Sequence, residues 1–338
     1  MEHEWLAKLK NQPRLLSEAE LRPLQGKTFQ ATGFPDLGPA RYQLPNGTEM
    51  LLVESAQSVA NHLELAVWDM GKETLIDDLL GLPYIRVFHV KDQSKEMTNS
   101  ILEAHRINSE YIMKKGSNFR TAFEQEIAIA KGSMVDWKRF YKTLFKYDPN
   151  SLIHGCFLEE IDGRLRVTRA LTRFIQARDI LAVESGGVKI NILEPTLKRG
   201  EGNVPFHRVE FTAKQITAYF SLDLALLCSY GLDNDAVELL VGLSLLKVRR
   251  FLSRGLRLRT ACDLETIDGL KVVRPEGFAV PTEEVLLPFV KKMIQACAHK
   301  GLFADPALTR VQWKPVGASG GPGAQSAADQ SAAGADAT

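Results

Sequence analysis

Cysteine is scarce. Cys156, Cys228, Cys262 and Cys297 lie far apart in 338 residues and form no CxxC pair. That spacing excludes a disulfide framework and a cysteine zinc site, and leaves buried small hydrophobes as the expected role. Long apolar runs are missing too: no stretch approaches the roughly 18 uninterrupted apolar residues of a membrane-spanning helix. The opening segment, MEHEWLAKLKNQPR, is charged and has no apolar heart of a secretory leader, so a cytoplasmic protein is expected. Catalytic signatures are also lacking, with no HExxH, GxSxG or GxxxxGK[ST]. The histidines are dispersed, and the nearest acid/base pair, Glu103 with His105, would point apart on a helix. No catalytic residue, cofactor or metal is assigned. His154 and His207, on expected strands, keep a residual interest.

A net charge of +1 excludes a surface coated in basic residues. What matters is where the charge gathers. The last 22 residues, GASGGPGAQSAADQSAAGADAT, hold Asp329 and Asp336 but no Lys or Arg. They offer too little apolar surface to offset ordering entropy, so a disordered tail is expected over 317–338. The body, 1–316, is expected to be one domain.

In that body, RLLSEAELRPL alternates as a strand, with Leu15, Ala19 and Leu21 on one face and Glu18, Glu20 and Arg22 on the other. ARYQL, Pro45-Asn46-Gly47-Thr48 and EMLLVES read as a hairpin. Ser55 caps a helix whose Ala56, Val59, Ala60, Leu63 and Val67 face a core. Residues 69–150 read as a polar, mainly helical insertion. LIHGCFLEEIDGRLRVTRAL then reads as a hairpin closing at Asp162-Gly163, and FHRVEFTAKQITAYFSLDL as a strand. DNDAVELLVGLSLLKVRRFLSRG is the strongest helix, started by Asp233 or Asp235 and ended at Gly255. RLRTACDL follows as a strand and TEEVLLPFVKKMIQACA as a last helix. Without the insertion the order is strand, helix, strand, strand, helix, strand. That predicts an α+β fold of the ferredoxin-like, RNA-recognition type.

Three segments carry candidate chemistry. GRLRVTRALTR gathers Arg164, Arg166, Arg169 and Arg173, and KVRRFLSRGLRLR holds Lys247, Arg249, Arg250, Arg254, Arg257 and Arg259 with no acidic residue. Arginine forks bind phosphates in pairs of hydrogen bonds, and such contacts fix a strand without reading its bases. Charge matched to a helix end explains Arg249 and Arg250 equally well. The third segment, VESAQSVANHLE, exposes Ser55, Gln57 and Asn61 beside a helix N-terminus, where free N–H groups suit phosphate and 2′-OH. Plain N-capping by Ser55 explains that segment on composition alone.

AELRPLQGKTFQATGFPDLG, LLVESAQSVANHLE, NSILEAHRINSEYI, LRVTRALTRFIQARDI, SGGVK and FLSRGLRLRTACDLE, in that order, resemble the Csb-one family. This is the Cas-seven-type backbone protein of type I-G (earlier I-U) CRISPR systems. The resemblance implies a RAMP-superfamily palm with finger and thumb insertions, several copies of which stack head to tail along one CRISPR RNA (crRNA). The other implied partners are target DNA, a Cas-five/six-like subunit and a large subunit, with no membrane. Base pairing then selects sequence, and the protein holds backbone. The expected RNA contacts are Ser55, Gln57, Asn61, Arg169, Arg173, Lys189, Arg250, Arg254, Arg257 and Arg259.

Two features depart from related patterns. The RNP1 run of sheet aromatics is absent, so RNA is expected on loops and helix ends. The glycine-rich loop is reduced to Gly186-Gly187, with Lys189 nearby. The rival readings are a RAMP-fold endoribonuclease using His105, His154 or His207 as general acid/base, and a scaffold with no nucleic-acid role.

Overall fold

Alternation makes the first strand. In β1 (Arg14–Pro23) Leu15, Ser17, Ala19 and Leu21 are buried while Leu16, Glu18 and Glu20 are half-buried on the other side. The computed structural model describes residues 4–34, 37–129, 134–190 and 203–314; the expected tail lies outside them. The hairpin at Asn46-Gly47 joins β2 (Arg41–Gln43) to β3 (Glu49–Glu54), and Gly47 takes the positive φ that the turn needs. Ser55 then caps α1 (Ala56–Leu65), its side chain accepting from the Ser58 N–H at 3.2 Å.

The expected helical insertion is corrected. Its first part folds as β4 (Tyr84–His89) and β5 (Asp92–Asn99), and helices follow only later: α2 (Asn118–Ile127), α3 (Trp137–Tyr147) and α4 (Pro149–His154). LIH, expected in a strand, is the end of α4. What remains of that hairpin is a two-residue ladder, Cys156–Phe157 against Arg166–Val167.

The chain next forms β6 (Leu171–Ile190) and β7 (Asn203–Asp223), an antiparallel pair running from Leu171↔Leu222 to Ile190↔Asn203. α5 (Asn234–Arg254) starts at Asp233, which accepts from the Asp235 N–H at 2.9 Å, and ends at Gly255. β8 (Arg257–Arg259), β9 (Cys262–Arg274), α6 (Glu283–His299) and β10 (Leu308–Trp313) complete the chain. The helices α5 and α6 pack so closely that a Cβ on Gly242 would stand 2.5 Å from the Phe289 ring.

The main sheet has the order β8-β9-β1-β7-β6-β3-β2, with antiparallel neighbours. From β1 the chain runs through the β2–β3 hairpin and α1 before it reaches β6, with β7 between β1 and β6; from β7 it crosses through α5 to β9, leaving β1 between. The second of these is a split β-α-β unit, and the fold is α+β around an antiparallel main sheet. A second sheet sets β4 between β5 and β10, with β10 parallel to β4. Cys262 and Cys297 are buried as expected; Cys228 is exposed and Cys156 half-buried. Among the described residues, no helix is long and apolar enough to cross a membrane.

Candidate nucleic-acid interface

Four pieces of chain meet beside the N-terminus of α1: the helix itself, residues 104–108, the turn after α4, and residues 166–172. Between them lies a cleft of about 770 Å³ whose lining includes Gln57, His105, Asn108, Arg166, Arg169 and Thr172. Gln57 organises it. Its Nε2 donates to the Ala104 carbonyl at 3.0 Å and to Asn61 Oδ1 at 3.2 Å, while its Oε1 accepts from Arg169 Nη2 at 2.9 Å. Arg169 thus spends one donor on orientation and keeps the rest of its fork for a ligand. The Arg166 guanidinium lies 4.5 Å from the Phe157 ring centroid, which steers it without neutralising it. Glu159 adds a carboxylate to the lining. Gly155 turns the chain here with φ +81 and ψ 151, a conformation closed to side chains; a Cβ would stand 2.9 Å from the Val167 carbonyl oxygen.

Beneath the cleft is a buried ionic network. Arg106 grips Glu64 through two bonds, Nε–Oε1 at 2.9 Å and Nη2–Oε2 at 2.7 Å, with both side chains almost fully buried. Lys247 Nζ donates to Asn150 Oδ1 at 2.5 Å and meets His154 Nε2 at 2.9 Å. Burial pushes Lys247 down to about 7 and, with Lys247 and Arg173 nearby, holds His154 well below the ordinary imidazole range. His154 is therefore a neutral partner of Lys247 at the end of a helix. That corrects its expected place on a strand.

Burial also raises Asp148 to about 6, from an ordinary 3.8. A carboxyl raised on folding favours the folded state below the unfolded value and loses that contribution as pH rises through the folded one. Asp148→Asn should remove this dependence: between about pH 4 and 6 the wild type should lose stability relative to the variant. Chemical denaturation at several pH values checks this, and parallel pH profiles would contradict it.

The expected contact residues separate into groups. Gln57 and Arg169 meet in the cleft, with Asn61 hydrogen-bonded to Gln57 behind them. Ser55 is occupied as the helix cap. Arg173 is corrected from surface contact to interior: it is fully buried and donates to the Leu171 carbonyl, and burial followed by Arg106 lowers it to about 9. Arg250 is buried as well, donating to the Ala66 carbonyl at 2.7 Å and paired with Glu283. Arg259 pairs with Glu54 and donates to the Gln30 carbonyl at 2.8 Å, so it ties strands together. Arg254 is exposed, 3.4 Å from Glu283. Arg257 is exposed on β8. Leu256 and Leu258 are buried behind this strand, as its alternation predicts. The Lys189 side chain lies outside the described residues. Lys247 is buried, Arg249 donates to the Pro281 carbonyl, and Arg164 pairs with Asp162. His207 is exposed, 3.8 Å from Glu184. His105 and Asn108, which the residue pattern did not single out for RNA contact, line the cleft beside Arg166.

The sheet nevertheless carries one aromatic pair, outside any RNP1 run. Phe174 and Tyr219 stand side by side on β6 and β7, ring centroids 5.2 Å apart, around an apolar slot of about 270 Å³. Thr172 lines both this slot and the cleft, so the two are neighbours.

Residues 15–182 match the family described as CRISPR-associated protein GSU0053. One solved chain, titled as a CRISPR RNA-guided surveillance complex before nicking, is 15% identical at a TM-score of 0.38, covering 75% of this chain and 76% of that one. The crystal structure of Csc2 from Thermofilum pendens is 11% identical at a TM-score of 0.29, covering 86% and 78%. No curated protein matches. Over residues 15–182, the chain is thus similar to the CRISPR-associated GSU0053 family.

Proposed function

We propose that this chain is a non-catalytic backbone subunit of a type I-G CRISPR surveillance complex in the cytoplasm. Its split β-α-β body serves as a RAMP-type palm, and copies assemble head to tail along one crRNA. The guide is held for pairing with target DNA, beside a Cas-five/six-like subunit and a large subunit. Head-to-tail contacts need not close, so the assembly is an open helical filament.

The observation that carries this reading is the cleft. Arg166 and Arg169, the latter oriented by Gln57, bring two cationic forks together with the Asn108 amide in one place. Such a set fits phosphates and 2′-OH groups and contains no base-reading code. Expression with guide RNA tests it. The purified protein should carry RNA, with raised absorbance at 260 nm, and should form filaments in negative stain. Protein free of RNA even beside its companion subunits would overturn the proposal.

The endoribonuclease reading retains one supporting observation, the exposed His105 in the cleft lining. Site-specific, metal-independent cleavage of precursor RNA, lost in His105→Ala, would decide for it.

A further inference from the structure

Helix α3 carries more positive charge than the fold neutralises. Its sequence, WKRFYKTLFKY, has four cations and no acid in 11 residues. Lys138, Lys142 and Lys146 recur every fourth residue and form one stripe, with Arg139 beside it. Like charges at that spacing oppose helix formation, so the stripe has a cost that the helix itself does not recover.

The stripe lines a groove of about 630 Å³ with Glu126 and Asp233 among its other walls. Both carboxylates are already answered. Glu126 accepts from Lys146 Nζ at 2.8 Å and from the Tyr147 hydroxyl at 2.8 Å, and Asp233 is 2.7 Å from Lys300 Nζ. Arg139 donates to a carbonyl, which leaves its charge unneutralised. Lys138 and Lys142 are exposed and have no ion-pair partner among the described residues.

An aromatic platform adjoins these lysines. Trp137 is 40% exposed and stacks on Tyr141 with centroids 5.9 Å apart and planes at 29°, and Tyr141 rests on the buried Tyr230 at 4.5 Å. Uncompensated cations beside a flat, firmly backed ring are what a single-stranded nucleic acid requires: ammonium groups for phosphates and a π-face for a base. An acidic protein surface would use the lysines and has no need of the ring. The groove shares no lining residue with the cleft described above.

We propose that the α3 groove binds a second single-stranded nucleic acid, separate from the strand held in the cleft. The probe is a fluorescein-labelled oligothymidylate, unrelated to the guide, added to the RNA-loaded protein at low salt. Wild type should bind it with quenching of tryptophan emission. K138E/K142E should weaken binding roughly tenfold or more through two lost phosphate contacts, with copurified RNA unchanged. W137F should lose most of the quenching while the thermal unfolding midpoint stays put. K138Q/K142Q, which introduces no new charge, should fall between wild type and the reversal.

Unchanged oligothymidylate binding in K138E/K142E overturns the proposal, and so does quenching that persists in W137F. Loss of a companion protein subunit without loss of oligonucleotide binding also overturns it, in favour of an acidic partner. Because copurified RNA reports on the cleft alone, failure here is distinguishable from failure of the backbone reading.

Discussion

Arg106→Met should destabilise the protein by about 3 kcal/mol, the lower end of the range for breaking a buried ion pair. The variant leaves Glu64 fully buried without its two-bonded partner. The loss stays at the lower end because Lys247 and Arg173 also favour the Glu64 carboxylate. Glu64→Gln should cost more, since one carboxylate faces three cations and its removal leaves them in mutual repulsion. Urea unfolding, with midpoint and slope both read, checks the order. A loss below about 1 kcal/mol in both variants would mean that the pair is not held in a dry interior. The consequence reaches function, because Arg106 sits at φ +54 inside the segment that forms one wall of the cleft. Arg106→Met should therefore loosen that wall and weaken ligand binding as well as the fold.

The second large effect is expected from reversing charge in the cleft. Arg166→Glu with Arg169→Glu removes two cationic forks and sets two carboxylates beside Glu159. A hydrogen bond between charged partners is worth about tenfold in affinity, so a loss of roughly 100-fold for guide RNA is predicted. Thermal stability should barely change, because both side chains are exposed and neither is part of a buried pair. Arg259→Glu makes the contrast. It would oppose Glu54 and unfold the strand junction, so any loss of binding there reports on folding. Arg257→Glu changes an exposed position on β8, remote in the sheet order from β6 and Thr172, and should leave cleft binding intact.

Local signals were legible wherever one residue type decides the backbone. Ser55 at the start of α1, Asp233 and Gly255 around α5, and Asn46-Gly47 in the hairpin all stand where periodicity and turn chemistry place them. Partnerships across the chain were not. β4 read as part of a helical insertion because its parallel partner β10 lies more than 200 residues away and only tertiary pairing makes it a strand. The basic segments displayed charge without showing which carboxylates folding would bring: Glu283 to Arg250 and Arg254, Glu54 to Arg259. One warning was present in the pattern. Arg173 shares its strand face with Leu171, Ile175 and Ala177, all buried, so alternation alone points it inward. Lys247 likewise interrupts an apolar run in α5, which marks a buried lysine with a partner. The Phe174–Tyr219 pair escaped notice because its two residues lie 45 positions apart in the sequence and meet only when β6 and β7 pair.

Binding of several unrelated guide RNAs across a salt series tests the central claim most directly. The wild-type dissociation constants should agree among sequences at each salt concentration and rise steeply with salt. The Arg166/Arg169 double reversal should weaken all of them together and flatten the salt slope by about two phosphate contacts. Affinities that differ among guides, or a double reversal that leaves the slope unchanged, would contradict a cleft that holds the strand by its backbone.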